Sequence, residues 1–330
     1  MANFELNKIK KEDYDKWDDF VDKSQEGTIF HKSYWLEASG SEFEIIGSYT
    51  GNQLRGGAVI PINENKFKQT VVTNPVLTPY TGILFQPKRG KRTTYLSNEK
   101  KIADGISKYL TNNYQNISLN LNFNYRDLQP FIWNGYSENV RYTYLLDCSD
   151  LDETWNGLDS STRRSIKRAK KDNLYIKKED NFKNIIKLVE KTFDRQDMTI
   201  NHFKNTAYNY YNTLNNKKQC QPFICYDNKD RPIGGVYIVW DNKRSYYLLG
   251  GYDPEHGHHG ASTLAMWEAI QYTSEELELK EFDFEGSMIQ SVEKFFRKFG
   301  GKLTPYYQVK KGNFLFSLYY KLAKIKSKYF

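Results

Sequence analysis

Three observations predict an α/β chain carrying two copies of one domain plan. A hairpin recurs: Ile45-Ile-Gly-Ser-Tyr49 is followed by Gly56-Gly57, and Phe223-Ile-Cys-Tyr226 by Gly234-Gly235 at nearly the same distance. In both halves, stretches of strand period alternate with stretches of helix period. The 330 residues are long for one core and comfortable for two. A repeat of so long a period is a duplicated domain rather than a solenoid. The expected division is residues 1–149, residues 150–312 and a tail at 313–330.

The first half opens with helical spacing over residues 9–21, and Ser33 serves as N-cap of a helix holding Trp35, Leu36 and Ala38. Residues 44–49, a turn at 50–53 and residues 56–62 form the first hairpin. Residues 68–73 read as a strand and 99–110 as a helix with Ile102, Ile106 and Leu110 on one face. Strands at 117–123 and 142–146 close the half. The second half begins with a helix at 162–171, a short strand at 174–177 and an amphipathic helix at 182–193. Its hairpin follows, then a strand at 245–250, a His- and Gly-rich loop at 252–260, a helix at 262–277 and a last strand at 303–310. In the tail, Leu315, Leu318, Leu322 and Ile325 share a face beside Lys321, Lys324 and Lys328. That pattern fits a helix packed on the body or lying at a membrane surface.

Composition narrows the function classes. With 26 Tyr and 20 Phe the chain can bury a real core and is not disordered. Cys148, Cys220 and Cys225 form no CxxC, so neither a disulfide framework nor a zinc site is indicated. The start lacks the apolar run of a leader and no stretch could span a bilayer, which points to a cytoplasmic protein. Positive charge is local. Of 48 basic residues, six fall in residues 161–171 and seven in 302–330, both stretches free of acids; the remaining 35 face 40 acids. An anionic partner at particular surfaces is implied. No Walker lysine, G-x-S-x-G elbow or dinucleotide fingerprint stands where its chemistry would need it. His256, His258 and His259 lack a ligating spacing, so no metal site is expected.

The chemistry concentrates at residues 281–301. Phe282 and Phe284 alternate with Asp283 and Glu285, so a half-buried strand puts both carboxylates on its other face. Gly286 and Ser287 break the pattern, and Val292, Phe295, Phe296 and Phe299 switch to helix spacing until Gly300-Gly301. Such a turn at a strand's carboxyl end is where open α/β sheets form a ligand crevice. The glycine pairs Gly234-Gly235 and Gly250-Gly251 read as bulges whose N–H groups can serve an acyl oxygen that becomes negative. The loop with His258 and Gly260 runs into a helix N-terminus, a place for anions. Arg163, Arg164, Lys167 and Lys170 make a surface suited to phosphate groups.

Several stretches in this order resemble the FemAB-type proteins, tandem-repeat members of the GNAT acyltransferase superfamily. They are T-R-R-S-I-K-R-A-K-K, the G-G hairpin, L-A-M-W-E-A-I, F-D-F-E-G-S and F-F-R-K-F-G-G. The resemblance implies two GNAT-like α/β domains and a C-terminal amphipathic helix. It also implies transfer of an acyl or aminoacyl group to an amine of a cell-envelope precursor, including peptidoglycan precursors. The donor would be acyl-coenzyme A, an acyl-carrier thioester or aminoacyl-tRNA, with no tightly bound cofactor. Residues 257–262 do not meet the usual coenzyme A loop, and the long helical hairpin of some cross-bridge enzymes is absent.

In this reading Glu285, or next to it Asp283, is the base that frees the attacking amine. Arg297, or Lys294 one turn earlier, stabilises developing charge or holds a donor phosphate. Arg163 and Lys167 grip an anionic part of donor or acceptor, Ser287 stands at the turn on the binding side, and Tyr252 protonates the leaving group. The envelope substrate brings with it peripheral contact at the inner membrane face and tRNA as a partner. Two rival readings use the same features: a fatty acyl thioester-dependent N-acyltransferase acting on a lipid amine, and a non-catalytic module binding RNA or glycan.

Overall fold

Strands and helices alternate along the chain as the periodicity predicts. The computed structural model describes residues 4–65, 68–194, 201–286 and 288–312. Ser287 and the expected tail helix at 313–330 therefore lie outside the described residues. One compact unit is drawn from residues up to Tyr142 and from Pro305 onward, the other from Thr143–Thr304. The boundaries fall inside β-strand segments, at 142/143 and 304/305, where the sequence reading divides the chain at 149/150 and 312/313.

The first unit holds β1 (Glu5–Lys8), α1 (Tyr14–Lys23), α2 (Ser33–Ser39), β2 (Glu42–Thr50), β3 (Gln53–Glu64), β4 (Thr70–Thr73), β5 (Gly82–Phe85), α3 (Arg92–Asn113), β6 (Ile117–Asn120), α4 (Gln129–Trp133) and the start of β7 (Ser137–Asp147). Antiparallel β1–β2–β3 continues to β4, which lies parallel to β6. On β6, Asn120 pairs with Gln308 and Ile117 with Lys311, so a late stretch of chain completes this sheet. Ile102, Ile106 and Leu110 of α3 are buried, as their spacing requires.

The second unit holds the end of β7, then α5 (Leu151–Gly157), α6 (Ser160–Lys171), β8 (Tyr175–Lys178), α7 (Lys183–Asp194), α8 (Asn201–Asn216), β9 (Cys220–Tyr226), β10 (Pro232–Trp240), β11 (Ser245–Tyr252), α9 (Ala261–Glu275), β12 (Glu281–Asp283), α10 (Gln290–Arg297) and β13 (Lys302–Lys311), whose last part belongs to the first unit. β8 to β11 are antiparallel neighbours, β11 meets β12 in parallel, and β12 pairs with Leu145–Asp147 of β7. Val236, Ile238 and Phe282 pack with α6, α9 and α10 in one core. Tyr237, one residue out of phase, meets Phe182 on the other side.

The repeated glycine pair has the same use in both units. A Cβ on Gly56 would lie 3.1 Å from the Ile102 side chain of α3, and one on Gly57 2.7 Å from the Trp17 ring of α1. A Cβ on Gly234 would lie 3.0 Å from Ala261 at the start of α9, and one on Gly235 3.3 Å from Ile185 of α7. Each strand is thinned once on each face so that helices can approach from both sides. The bulges fall one residue earlier, at Arg55 and Ile233, where the ladder registers shift.

Candidate active site at the end of β12 and the start of α9

β12 ends at Asp283, one residue before Phe284 and two before Glu285. Phe282 and Phe284 are fully buried, and so is Asp283. Thr143 Oγ1 donates to Asp283 Oδ1 at 2.6 Å, and the Glu285 N–H donates to the same oxygen at 2.8 Å. That second bond folds the chain over, and Glu285 takes a left-handed φ of 55° followed by Gly286 at 68°. A non-glycine residue held there stores backbone strain of about 1 kcal/mol. The expectation of two carboxylates on one strand face is thus corrected: Asp283 is a core hydrogen-bond acceptor, and Glu285 stands beyond the strand in a turn. The Glu285 Oε1 atom is shut off from solvent and has no hydrogen-bond partner among the described residues. Burial, and then the Asp283 charge, push its carboxyl well above the ordinary glutamate range.

β11 runs on past its partner. Only Ser245 and Tyr246 pair with β12, so residues from Tyr247 onward have an open side. A bulge at Leu248 separates the Tyr237–Leu249 and Ile238–Tyr247 pairs. The Asp253 N–H donates to Ile233 O, and the Tyr252 N–H donates to Thr192 Oγ1 at 2.8 Å. Antiparallel alternation then turns the Gly250 N–H away from β10, toward the side on which β12 has already ended. Tyr247 shares this space, its phenol raised by burial and by the Glu285 charge.

A cleft of about 540 Å³ opens at the start of α9. The N-cap Gly260 gives that helix no side-chain cap; the Gly260 and Ala261 N–H groups donate to His258, and Ser262 and Thr263 of the first turn line the cleft. Ser161 and Ser165 of α6 and Ser262 and Thr263 of α9 supply hydroxyls. Lys298, at the C-cap of α10, and His259 bring ionisable groups, and Tyr252 and Phe295 form the sides. A cationic, hydroxyl-rich pocket on an uncapped helix start is built for a phosphate group.

Residues 159–294 match the family described as the acetyltransferase (GNAT) domain. Those residues, within the second unit, are the part of the chain similar to a GNAT acetyltransferase domain. Among curated proteins, no sequence matches it. Solved structures share the tandem GNAT fold at low identity. FemX has a TM-score of 0.66 at 14% identity, covering 92% of this chain and 96% of that one. The C-terminal domain of a putative lysylphosphatidylglycerol synthetase from Agrobacterium fabrum gives 0.57 at 13%, covering 95% and 96%. A tandem GNAT protein from the clavulanic acid biosynthesis pathway gives 0.55 at 10%, covering 93% and 98%.

Within the GNAT domain the predicted residues separate. Tyr252 lines the cleft, and Glu285 stands in the turn after β12, outside the residues that line it. Arg163 is engaged elsewhere: its Nη1 donates to Trp155 O at 3.3 Å, Asn156 O at 2.6 Å and Leu158 O at 2.8 Å, closing the end of α5. Lys167 is exposed on α6, with Arg164 and Lys171. Arg297 pairs with Glu293 at 3.2 Å, which also accepts from Tyr144 Oη at 2.6 Å, and Lys294 is exposed. Gly234 and Gly235 lie in a strand paired on both sides, and what they contribute is closeness of the helices rather than donors to an oxyanion. Gly260 is likewise a packing position, since a Cβ would fall 2.6 Å from Ser165 O.

Asp253, Glu255 and His256 bring ligand atoms within 4.8 Å of one another. The cation there is Lys191, 2.8 Å from Asp253 Oδ2 and 3.8 Å from Glu255 Oε2. Burial pulls the Asp253 carboxyl up, but the Lys191 bond and the backbone N–H groups of Glu255 and His256 outweigh it and set the group at about 2. Sequence reasoning overlooked Ser161, Ser165, His259, Thr263 and Lys298 as site residues. Ser161, His259, Thr263 and Lys298 share one signal, a place at or beside a helix end, and Ser165, in the middle of α6, carries none.

Proposed function

We propose that this GNAT domain transfers an acyl or aminoacyl group to an amine of a cell-envelope precursor, with Glu285 as the base. The observation that carries this is Glu285 Oε1, shut off from solvent and without a hydrogen-bond partner among the described residues, in the turn after β12, in the same unit as a phosphate-suited cleft at the start of α9. Such an acid, raised above its ordinary range by burial and the Asp283 charge, takes up a proton more readily than a free glutamate. The amine gives its proton to Glu285 and its lone pair to the donor carbonyl carbon. The carbonyl oxygen takes the charge against the Gly250 N–H, the C–N bond forms, and the bond to the carrier breaks. Tyr252 supplies the proton to the leaving group.

The donor's carrier is read from the same cleft. Coenzyme A, an acyl-carrier thioester and aminoacyl-tRNA all present phosphate, and the uncapped α9 start with Lys298 fits that shared group. Exposed Arg164, Lys167 and Lys171 offer further phosphate contacts along α6. No helix among the described residues is long and apolar enough to cross a membrane. An envelope precursor would therefore be met at the inner face of the membrane by peripheral contact.

The test is a thermal-shift panel with acetyl- and palmitoyl-coenzyme A, acyl-carrier thioesters and charged tRNA, repeated on Lys298→Ala. A ligand that binds only the folded state raises the melting temperature. One donor class is expected to do so, less in the variant. If none shifts the wild type, the donor reading is lost.

A further inference from the structure

The histidine-rich loop at residues 253–260 builds one wall of the cleft through Pro254 and His259, yet apolar packing does not hold it. Pro254, Glu255, His256 and His259 are exposed. Two polar anchors hold it instead. At its start, Asp253 Oδ1 accepts the N–H of Glu255 at 2.9 Å and of His256 at 3.4 Å. Asp253 Oδ2 accepts from Lys191 Nζ of α7 at 2.8 Å and faces His256 Nδ1 at 3.3 Å. Near its end, His258 Nδ1 accepts the Gly260 N–H at 3.0 Å, and its Nε2 lies 3.0 Å from Asp172 Oδ2. With Nδ1 accepting, the ring proton is on Nε2 and donates to Asp172. Asp172 is the C-cap of α6, which also supplies Ser161 and Ser165 to the cleft.

The loop is therefore tied to α7 at one end and to α6 at the other, and its last residue begins α9. Left unanchored, its residues would have to be ordered by the ligand, and each would subtract from binding.

We propose that Lys191, Asp253, His258 and Asp172 are positioning residues that hold residues 253–260 in a donor-receptive shape before the donor arrives. This rests on the reading that the cleft takes the donor's phosphate. It assigns the histidines, unabsorbed by any metal site, a purpose: His258 fastens the loop, leaving His259 in the cleft.

The experiment uses the whole chain as wild type, Asp253→Asn, Lys191→Met, Lys191→Arg and the Asp253→Asn/Lys191→Met double variant. Amide hydrogen exchange over residues 254–260 is measured beside binding of inorganic pyrophosphate and of acetyl-coenzyme A. Asp253→Asn and Lys191→Met are each expected to speed exchange in the loop and weaken binding about tenfold. Lys191→Arg should retain both properties, and the double variant should add little to either single change. In turnover the donor KM rises while kcat at saturation holds. Unchanged exchange in both single variants overturns the anchoring. Faster exchange with unchanged binding overturns its role in positioning the donor site. Should the wild type bind neither probe, the donor reading fails, and exchange alone still decides whether the anchors exist.

Discussion

Thr143 Oγ1 donates to Asp283 Oδ1 at 2.6 Å, and this bond ties Asp283 into the core while Glu285 stands in the turn after it. Asp283 also accepts the Glu285 N–H and is fully buried. Its charge raises the proton affinity of Glu285 next to it. Glu285→Gln is expected to cut turnover by about 10²- to 10⁴-fold, the usual range for losing a general base. Asp283→Asn should instead unfold the turn and lower the melting temperature along with activity. Steady-state rates and thermal melts of the two variants separate these effects.

The raised Glu285 carboxyl also gives a sign to the pH dependence of stability. Its folded-state affinity for a proton exceeds that of the unfolded chain, so the native form is favoured below the ordinary glutamate range and loses that advantage as pH rises. The melting temperature of Glu285→Gln relative to wild type should therefore climb from pH 4 toward pH 8. Activity runs the opposite way, rising with pH until the base is ionised, and this limb should vanish in the variant.

Asp253 shows the reverse sign. Held at about 2 in the folded state, it stabilises the chain above the unfolded carboxylate range and ceases to as pH falls toward about 2. Asp253→Asn should melt below wild type at pH 7, and the gap should close between about pH 4 and about pH 2. Thermal melts across that window are the check.

Arg163 and Lys298 should respond in opposite ways although both are basic and close to the cleft in sequence order of its elements. Arg163 Nη1 holds three carbonyls of the α5 end, and Arg163→Ala should cost about 1–3 kcal/mol of stability with little change in donor affinity. Lys298→Ala should leave the melt nearly unchanged and weaken the donor, because this side chain lines the pocket. Melts and donor titrations of both variants measure the contrast.

Gly260→Ala tests how closely α6 and α9 must meet. The new methyl would fall 2.6 Å from Ser165 O and 2.8 Å from Ala169 Cβ, neither of which can swing aside. A loss of about 1–3 kcal/mol is expected from the forced backbone shift, with weaker donor binding because Ser165 moves. Denaturant titration gives the first quantity and calorimetry the second.

What was legible in the sequence was local and periodic. The two hairpins, the α3 face of Ile102, Ile106 and Leu110, and the turn that leaves β12 all follow from residues a few positions apart. β1 escaped notice because its residues are mostly exposed and show no alternation. The meaning of the glycine pairs was hidden for another reason: it depends on Trp17 and Ile185, which approach from helices remote in sequence. The cleft was hidden likewise. Ser161 of α6, His259 of the loop before α9, Ser262 of α9 and Lys298 at the C-cap of α10 come from four separate stretches, and no spacing within any one of them announces that they converge.

The late strand β13 also bears on how the protein is made. The sheet of the first unit is completed by Gln308–Lys311 on β6, and Tyr306 packs its ring edge-on against Tyr80 and accepts a hydrogen bond from Arg141 Nε. A ribosome delivers those residues only after the whole second unit has been synthesised. The nascent first unit must wait with β6 unpaired along that edge, while the GNAT domain behind it already has every strand but its last. The order of synthesis and the order of completion thus run against each other, and the catalytic unit is ready to close its sheet at the same moment as the unit that was begun first.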